Sequence, residues 1–96
     1  MKTYADLKRD LQTGINIELT ESYQKDKEGK LYPNFHKYKN VVRQIIKKQT
    51  NGVQLEGGSW LGLGMYGEKA QDFQYIDNYS FIFENEDMKN VYKFRV

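Results

Sequence analysis

The fold is decided by a stretch near the C-terminus, which reads Phe73-Gln74-Tyr75-Ile76-Asp77-Asn78-Tyr79-Ser80-Phe81-Ile82-Phe83-Glu84. Its aromatic residues recur at every second position on both sides of the pair Asp77-Asn78. Successive side chains of a β-strand point to opposite faces, so this period of two predicts two half-buried strands. Asp and Asn are common turn residues. We therefore predict a β-hairpin with strands at residues 73–76 and 79–84.

The same alternation continues on both sides of this hairpin. Residues 85–89 are polar and predict a turn, and residues 91–96 alternate again and predict a last strand. Upstream, residues 40–49 are rich in β-branched side chains, and Asn51-Gly52, a strong hairpin signal, follows them. We expect strands at residues 40–49 and 53–55. Gly57-Gly58 then predicts a second tight turn before a strand at residues 59–63.

The N-terminal segment has a helical pattern. Thr3 can cap a short helix, with Asp6 three residues later and Leu7 and Leu11 on one face. Gly14 is a natural stop, after which residues 15–20 alternate as a strand. The polar residues 24–34, which include the only proline, predict an exposed loop.

Together these elements predict one domain spanning residues 1–96, because 96 residues are too few for two well-packed cores. We expect an α+β fold in which a short N-terminal helix precedes a strongly bent antiparallel sheet, or a small partly open β-barrel, of about six strands. The chain has no cysteine and no run of about 18 apolar residues, so disulfides, thiol chemistry and a membrane span are not expected. The first residues lack the apolar stretch of a secretory signal, and we expect a cytoplasmic protein.

Charge is divided unevenly along the chain. From Lys25 to Lys48 there are eight basic and two acidic side chains, a net of +6, whereas from Glu68 to Asp87 six acidic side chains face one lysine, a net of −5. The formal net charge of +2 therefore conceals two segments of opposite sign. Such a distribution is typical of a binding protein, because complementary potentials steer partners together.

The basic segment offers one candidate binding surface. Tyr32, Phe35 and Tyr38 are interleaved with Lys30, Lys37 and Lys39. Aromatic rings beside cations can stack on bases while lysines neutralise phosphates, but the simpler interpretation is that the rings are core anchors and the lysines a solvated face. Lysines outnumber arginines twelve to three, which disfavours bidentate base reading and favours low sequence specificity. The candidate contact residues are Lys37, Tyr38, Lys39, Lys47 and Lys48.

The acidic segment offers a second candidate surface. A row of carboxylates on a compact scaffold can occupy a basic groove built for DNA or RNA. The candidate residues are Asp72, Asp77, Glu84 and Glu86. Trp60, the only tryptophan, is expected in the core, with an exposed interface residue as the alternative.

The sequence gives little indication of catalysis. His36 is the sole histidine and has no evident nucleophile to serve. Gly62, Gly64 and Gly67 have the spacing G-x-G-x-x-G, but the alternating aromatic residues after them do not predict the helix that a dinucleotide site requires. Carboxylates such as Glu84 and Glu86 stand in predicted turns, where acidic residues are common. We therefore expect no enzyme activity, cofactor or metal.

Several local strings resemble small uncharacterised proteins encoded by phages and prophages of Gram-positive bacteria. These strings run from Asp6 to Leu11 with Gly14 behind them, from Gln49 to Val53, and include Gly58-Ser59-Trp60-Leu61 and Lys69-Ala70. The chain departs from such proteins at Glu68, where they often have proline. The resemblance implies a small non-enzymatic protein that binds a host macromolecule, as anti-CRISPR proteins do.

Two functional hypotheses follow. The first is a non-catalytic interaction protein that binds and inhibits a host nucleic-acid-handling defence protein, such as a CRISPR effector, through one of its charged surfaces. The alternative is direct, weakly specific nucleic-acid binding through the face formed by residues 25–48. No membrane partner is expected, and both monomer and dimer remain open.

Overall fold

The computed structural model describes residues 2–95 and has the predicted α+β fold. In chain order its elements are α1 (Tyr4–Asp10), β1 (Asn16–Lys25), β2 (Leu31–Pro33), β3 (Val42–Gln49), β4 (Gly52–Leu55), β5 (Trp60–Gly62), a 3₁₀ turn (Ala70–Asp72), β6 (Phe73–Asp77), β7 (Ser80–Glu84) and β8 (Met88–Arg95).

Helix α1 begins at the predicted cap. The Thr3 hydroxyl accepts a hydrogen bond from the Asp6 backbone N–H, and the Asp6 carboxylate accepts one from the Thr3 N–H at 2.7 Å. This reciprocal pair satisfies two backbone donors that an uncapped helix would leave without partners. Leu7 and Leu11 are buried, as their shared helical face predicts. No helix among residues 2–95 is long and apolar enough to cross a bilayer.

The strands form one antiparallel sheet in the order β5-β4-β3-β1-β8-β7-β6, and β2 pairs separately with β1. Within residues 2–95 the sheet has eight strands and is not closed into a barrel. Helix α1 lies between the two edge strands. The Tyr4 hydroxyl donates to the carbonyl of Leu63, just after β5, and the Tyr4 ring lies 5.4 Å from Phe73 in β6.

The predicted loop at residues 24–34 is partly strand. Strand β1 extends to Lys25, and β2 pairs with it in the register Lys25 to Leu31 and Tyr23 to Pro33. Pro33 is compatible with this position because β2 is an edge strand, where a missing N–H breaks no ladder. Strand β8 likewise begins at Met88, inside the predicted turn. Val96, the predicted last strand residue, lies outside the described residues.

The hydrophobic core fills one part of the inner face of the sheet, the face that carries α1. Its fully buried side chains include Ile17, Leu19, Ile45 and Phe81, and the rings of Phe81 and Tyr92 stack at 5.0 Å. Farther along the same face, buried positions are polar: Ser22 of β1 and Asn90 of β8 share a hydrogen bond of 2.7 Å. The inner face therefore changes from an apolar core to a polar region, and the candidate site lies there.

Candidate binding surface and adjoining cavity

A loop between β2 and β3, residues 34–40, runs alongside the middle of β1, where Lys39 forms a bridge with Leu19. We call it the basic loop. Its first N–H, from Asn34, donates to the Ser22 carbonyl at 3.0 Å, and its last, from Asn40, donates to the Leu19 carbonyl at 2.8 Å. Asn40 has a φ of 64°, a left-handed conformation that Asn tolerates better than most residues, and this turns the chain into β3. Both ends of the loop are thus fixed to one strand.

Side chains of the basic loop alternate between inside and outside. Asn34, His36 and Tyr38 are half-buried, whereas Phe35, Lys37 and Lys39 are exposed. Phe35 is 91% exposed, more than any other large hydrophobic side chain in the described part of the chain. The outer row thus presents one bare aromatic ring beside two ammonium groups.

Strand β2 extends this surface along the chain. Leu31 and Tyr32 are both exposed, and the Lys30 ammonium lies 5.4 Å from the centre of the Tyr32 ring. The ammonium of Lys37 similarly lies 5.1 Å from the Tyr38 ring. Cations and aromatic faces are therefore mixed on the surface, as the interleaved sequence predicts.

Tyr38, one of the half-buried inner side chains of the loop, packs on a buried arginine of β3. Arg43 is only 6% exposed, its guanidinium lies 4.1 Å from the centre of the Tyr38 ring, and its Nη1 donates to the Ser59 hydroxyl. Its Nε has no hydrogen-bond partner among residues 2–95, and no carboxylate there pairs with it. Stacking on Tyr38 supplies part of the stabilisation that an ion pair would otherwise give.

The Tyr38 ring also depends on a glycine of the β4–β5 turn. Gly57 has a φ of 91°, and a Cβ at this position would lie 2.9 Å from the Tyr38 hydroxyl oxygen. Glycine therefore meets two needs here, the left-handed backbone and the close approach of the tyrosine.

His36 fixes the shape of the basic loop from inside. Its Nδ1 accepts a hydrogen bond from the Tyr38 backbone N–H at 3.1 Å, so the neutral ring carries its proton on Nε2. Burial lowers the pKa of His36, and the nearby positive charge of Arg43 lowers it further. The imidazole is therefore a neutral donor at pH 7.

A cavity of about 210 Å³ opens on the inner face beside His36. Its walls are a mixture of aromatic, aliphatic and polar residues, Asn90 and Met88 among them, and come from distant parts of the chain. They include His36, Trp60, Tyr66, Glu68, Phe83 and Tyr92. Trp60 is half-buried. It is therefore neither fully in the core nor fully exposed, the two alternatives that the sequence left open. Tyr66 is 71% exposed and lies at the mouth.

The glycine cluster beside this cavity holds a carboxylate of its own chain. Oε2 of Glu68 accepts N–H donors from Gly64 at 3.2 Å and Tyr66 at 2.8 Å. A Cβ on Gly62 would lie 2.1 Å from the other oxygen, Oε1. Because a 3₁₀ turn and an antiparallel strand follow, the G-x-G-x-x-G spacing here forms a turn around Glu68.

The four predicted contact lysines lie in two places. Lys37 and Lys39 belong to the basic loop, whereas Lys47 and Lys48 stand at the other end of β3. The Lys48 ammonium donates to the Lys8 carbonyl in the last turn of α1 at 2.6 Å, so it is engaged within the fold. Tyr38, the fifth residue of the set, faces inward onto Arg43. Lys37, Lys39 and Lys47 are exposed.

The four predicted acidic residues are also dispersed. Asp77 accepts N–H and hydroxyl donors from Tyr79 and Ser80 in the β6–β7 turn, and Glu84 pairs with Lys25 at 2.8 Å. Asp72, at the opposite end of β6 from Asp77, accepts the Lys69 N–H at 2.9 Å. Asp72 and Glu86 do lie together, with Asp87, along one shallow groove of about 350 Å³.

Comparisons give no further guide to this surface: no protein-family model, curated protein or solved structure matches the chain. Within residues 2–95, no group of three or more histidine or carboxylate side chains is arranged to hold a metal ion.

Sequence reasoning missed the buried arginine behind the basic loop and two residues that line the cavity. Arg43 carried no signal, because its burial depends on Tyr38 and Ser59, which are distant in sequence or lie in loops. Tyr66 and Glu68 lie within a glycine cluster, which is typical of a bend or of a close backbone approach, and this was the available indication of the turn around Glu68.

Proposed function

We propose that the protein is a non-catalytic binding protein that holds single-stranded nucleic acid on the basic loop. The observation that carries this proposal is the outer row of the loop, in which the 91% exposed ring of Phe35 stands beside Lys37 and Lys39. A single exposed apolar side chain is common, but a bare ring beside two exposed lysines matches what unpaired bases require.

We propose single-stranded rather than double-stranded nucleic acid because Phe35 is suited to stacking on a base. An exposed ring stacks on a base only where the base face is accessible, which a duplex prevents except at its ends. Lysines contribute point charges for phosphates with little base discrimination. Weak sequence preference and strong dependence on salt are therefore expected.

The direct test is fluorescence anisotropy of labelled single-stranded DNA and RNA, about 12 nucleotides long, titrated with the protein at several salt concentrations. Phe35→Ala should weaken binding roughly 5- to 150-fold, the effect of removing one base–aromatic stack of about 1–3 kcal/mol. Tyr79→Ala is the matched control, because Tyr79 is 65% exposed in the β6–β7 turn.

Salt dependence tests the lysines separately. For single strands the slope of log affinity against log salt changes by about 0.7 for each phosphate that the protein no longer neutralises. Lys37→Ala combined with Lys39→Ala should therefore reduce the slope by about 1.4, whereas Lys47→Ala should leave it unchanged. No binding at low salt, or binding that ignores Phe35 and both lysines, would overturn the proposal.

A second candidate function is inhibition of a nucleic-acid-handling defence protein, the activity that the resemblance to phage proteins implies. One observation favours it: Asp72, Glu86 and Asp87 share a groove, and the exposed ring of Tyr66 lies against a neighbouring groove that Asp72 also lines. Carboxylates beside an aromatic residue are suited to a basic protein surface. Under this hypothesis, Glu86→Lys with Asp87→Lys should abolish inhibition of a nuclease target, and Phe35→Ala should not.

A further inference from the structure

We infer that the cavity beside His36 is a subsite for one unstacked base that carries an exocyclic amino group, such as adenine or cytosine. This inference rests on the proposed function, and it adds a second contact and a base preference to it. The cavity and the basic loop share His36, whose chain neighbours Phe35 and Lys37 face outward. His36 reaches the cavity from the inner side of the loop, so one base of a strand held on the outer row must turn inward past the loop to enter it.

The size and walls of the cavity suit a single flat ring. Its volume of about 210 Å³ is below the roughly 300–1,000 Å³ of pockets for larger ligands. Trp60, Tyr66, Phe83 and Tyr92 line it. Aromatic faces of this kind stack on any base. They therefore explain why a base would bind in the cavity, but not why one base would bind more tightly than another.

The preference comes from Glu68. Its Oε2 is occupied by two backbone N–H groups, whereas Oε1 accepts no hydrogen bond from residues 2–95. A carboxylate oxygen accepts a hydrogen bond from the amino group of adenine or cytosine, but it repels O4 of thymine or uracil. The neutral His36 ring adds an N–H donor for a base nitrogen or carbonyl.

The buried guanidinium of Arg43 is close to the cavity but is not part of its lining. Arg43 is close enough to His36 to lower the pKa of that ring, yet its guanidinium is covered by Tyr38 and does not line the cavity. The ionised group that lines the cavity is therefore Glu68, which favours the donor edge of a base over a phosphate.

Trp60 makes the inference directly measurable, because it is the only tryptophan and lines the cavity. Its fluorescence is followed while unlabelled (dA), (dC) and (dT) homopolymers of about 12 nucleotides are added. We expect quenching by (dA) and (dC), with affinities at least about fivefold above that for (dT). Glu68→Gln should reduce this difference, because the amide has a donor as well as an acceptor.

Tyr66→Ala provides a variant that does not threaten folding, since the side chain is largely exposed. It should weaken (dA) and (dC) binding at least about fivefold, and Tyr79→Ala should not. Equal quenching by all three homopolymers would overturn the base preference. Salt-sensitive, Phe35-dependent binding with unchanged Trp60 fluorescence would overturn the subsite and leave the proposed function intact. Absence of any binding would overturn both.

Discussion

Among single residues, His36 couples the basic loop to pH. Its pKa is lowered by burial and then by Arg43. The titratable or charged groups around it are Tyr38 and Arg43 on the loop and β3, and Tyr66, Glu68 and Tyr92 in the cavity wall. The unfolded chain, with an ordinary histidine pKa of about 6.5, binds more protons near that pH than the folded chain. Stability is therefore fully present above about pH 6.5 and decreases as the pH falls.

We expect the urea midpoint of the protein to decrease between about pH 7.5 and pH 5. Below the shifted pKa the ring carries a proton on Nδ1 and can no longer accept the Tyr38 N–H. His36→Asn should show a flatter pH profile across this range. Asp6 and Asp10 do not account for the change, because the pKa of each carboxyl is lowered and both titrate at more acidic pH. An identical decrease in the variant would contradict this role of His36.

At the scale of secondary structure, helix α1 depends on a lysine from β3. The Lys48 ammonium reaches the Lys8 carbonyl at 2.6 Å, where a helix has carbonyls without partners and a partial negative charge. Lys48→Met should lower the free energy of unfolding by about 1 kcal/mol, measured by urea denaturation. Lys47→Met is the matched control, because Lys47 is exposed, and it should change stability little. Equal effects of both substitutions would refute a specific role for Lys48.

The secondary-structure elements that could be predicted are those whose sequence pattern lies within the element itself. The hairpin of β6 and β7 follows from alternating aromatic residues, although its turn is Asn78-Tyr79, one residue after the predicted pair. Strands β3 and β4 also form the hairpin that Asn51-Gly52 predicts, but the turn is Thr50-Asn51, because Gly52 of β4 already pairs with Gln49. Strand β2 could not be predicted, because Leu31–Pro33 is too short for a period and exists only through pairing with β1. Inside and outside positions in the basic loop likewise depend on contacts with Ser22 and Leu19, which lie in β1.

At the scale of the whole molecule, charge separated in the sequence is only partly separated in space. Lys25 and Glu84 come from oppositely charged segments but form an ion pair, and Lys48 is bound to α1. Exposed positive charge remains on the basic loop, and negative charge remains in the groove of Asp72, Glu86 and Asp87. Segment composition predicted the two signs, but long-range pairing decides which residues are available.

The position of the acidic groove allows the two proposed functions to be separated with one residue. Glu86 is exposed and has no hydrogen bond or ion pair among residues 2–95. If phosphates bind at the basic loop, its charge repels them. Two unit charges about 10 Å apart in water interact by about 0.4 kcal/mol, so for a phosphate at that distance or beyond, Glu86→Lys, which changes the charge by two units, should strengthen oligonucleotide binding at most about fourfold at low salt.

Two further substitutions of Glu86 test whether the effect is electrostatic. Glu86→Gln should give about half the effect in free energy, Glu86→Asp should give none, and the differences should vanish near 1 M salt, where the screening length is about 3 Å. Binding that strengthens far more than fourfold in Glu86→Lys would place the nucleic acid at the acidic groove, and weaker binding would contradict phosphate contacts at the basic loop. If the acidic groove instead binds a basic protein surface, the same substitution removes that contact while it strengthens any binding of nucleic acid. Opposite signs for one substitution in two assays would therefore assign each function to its own surface.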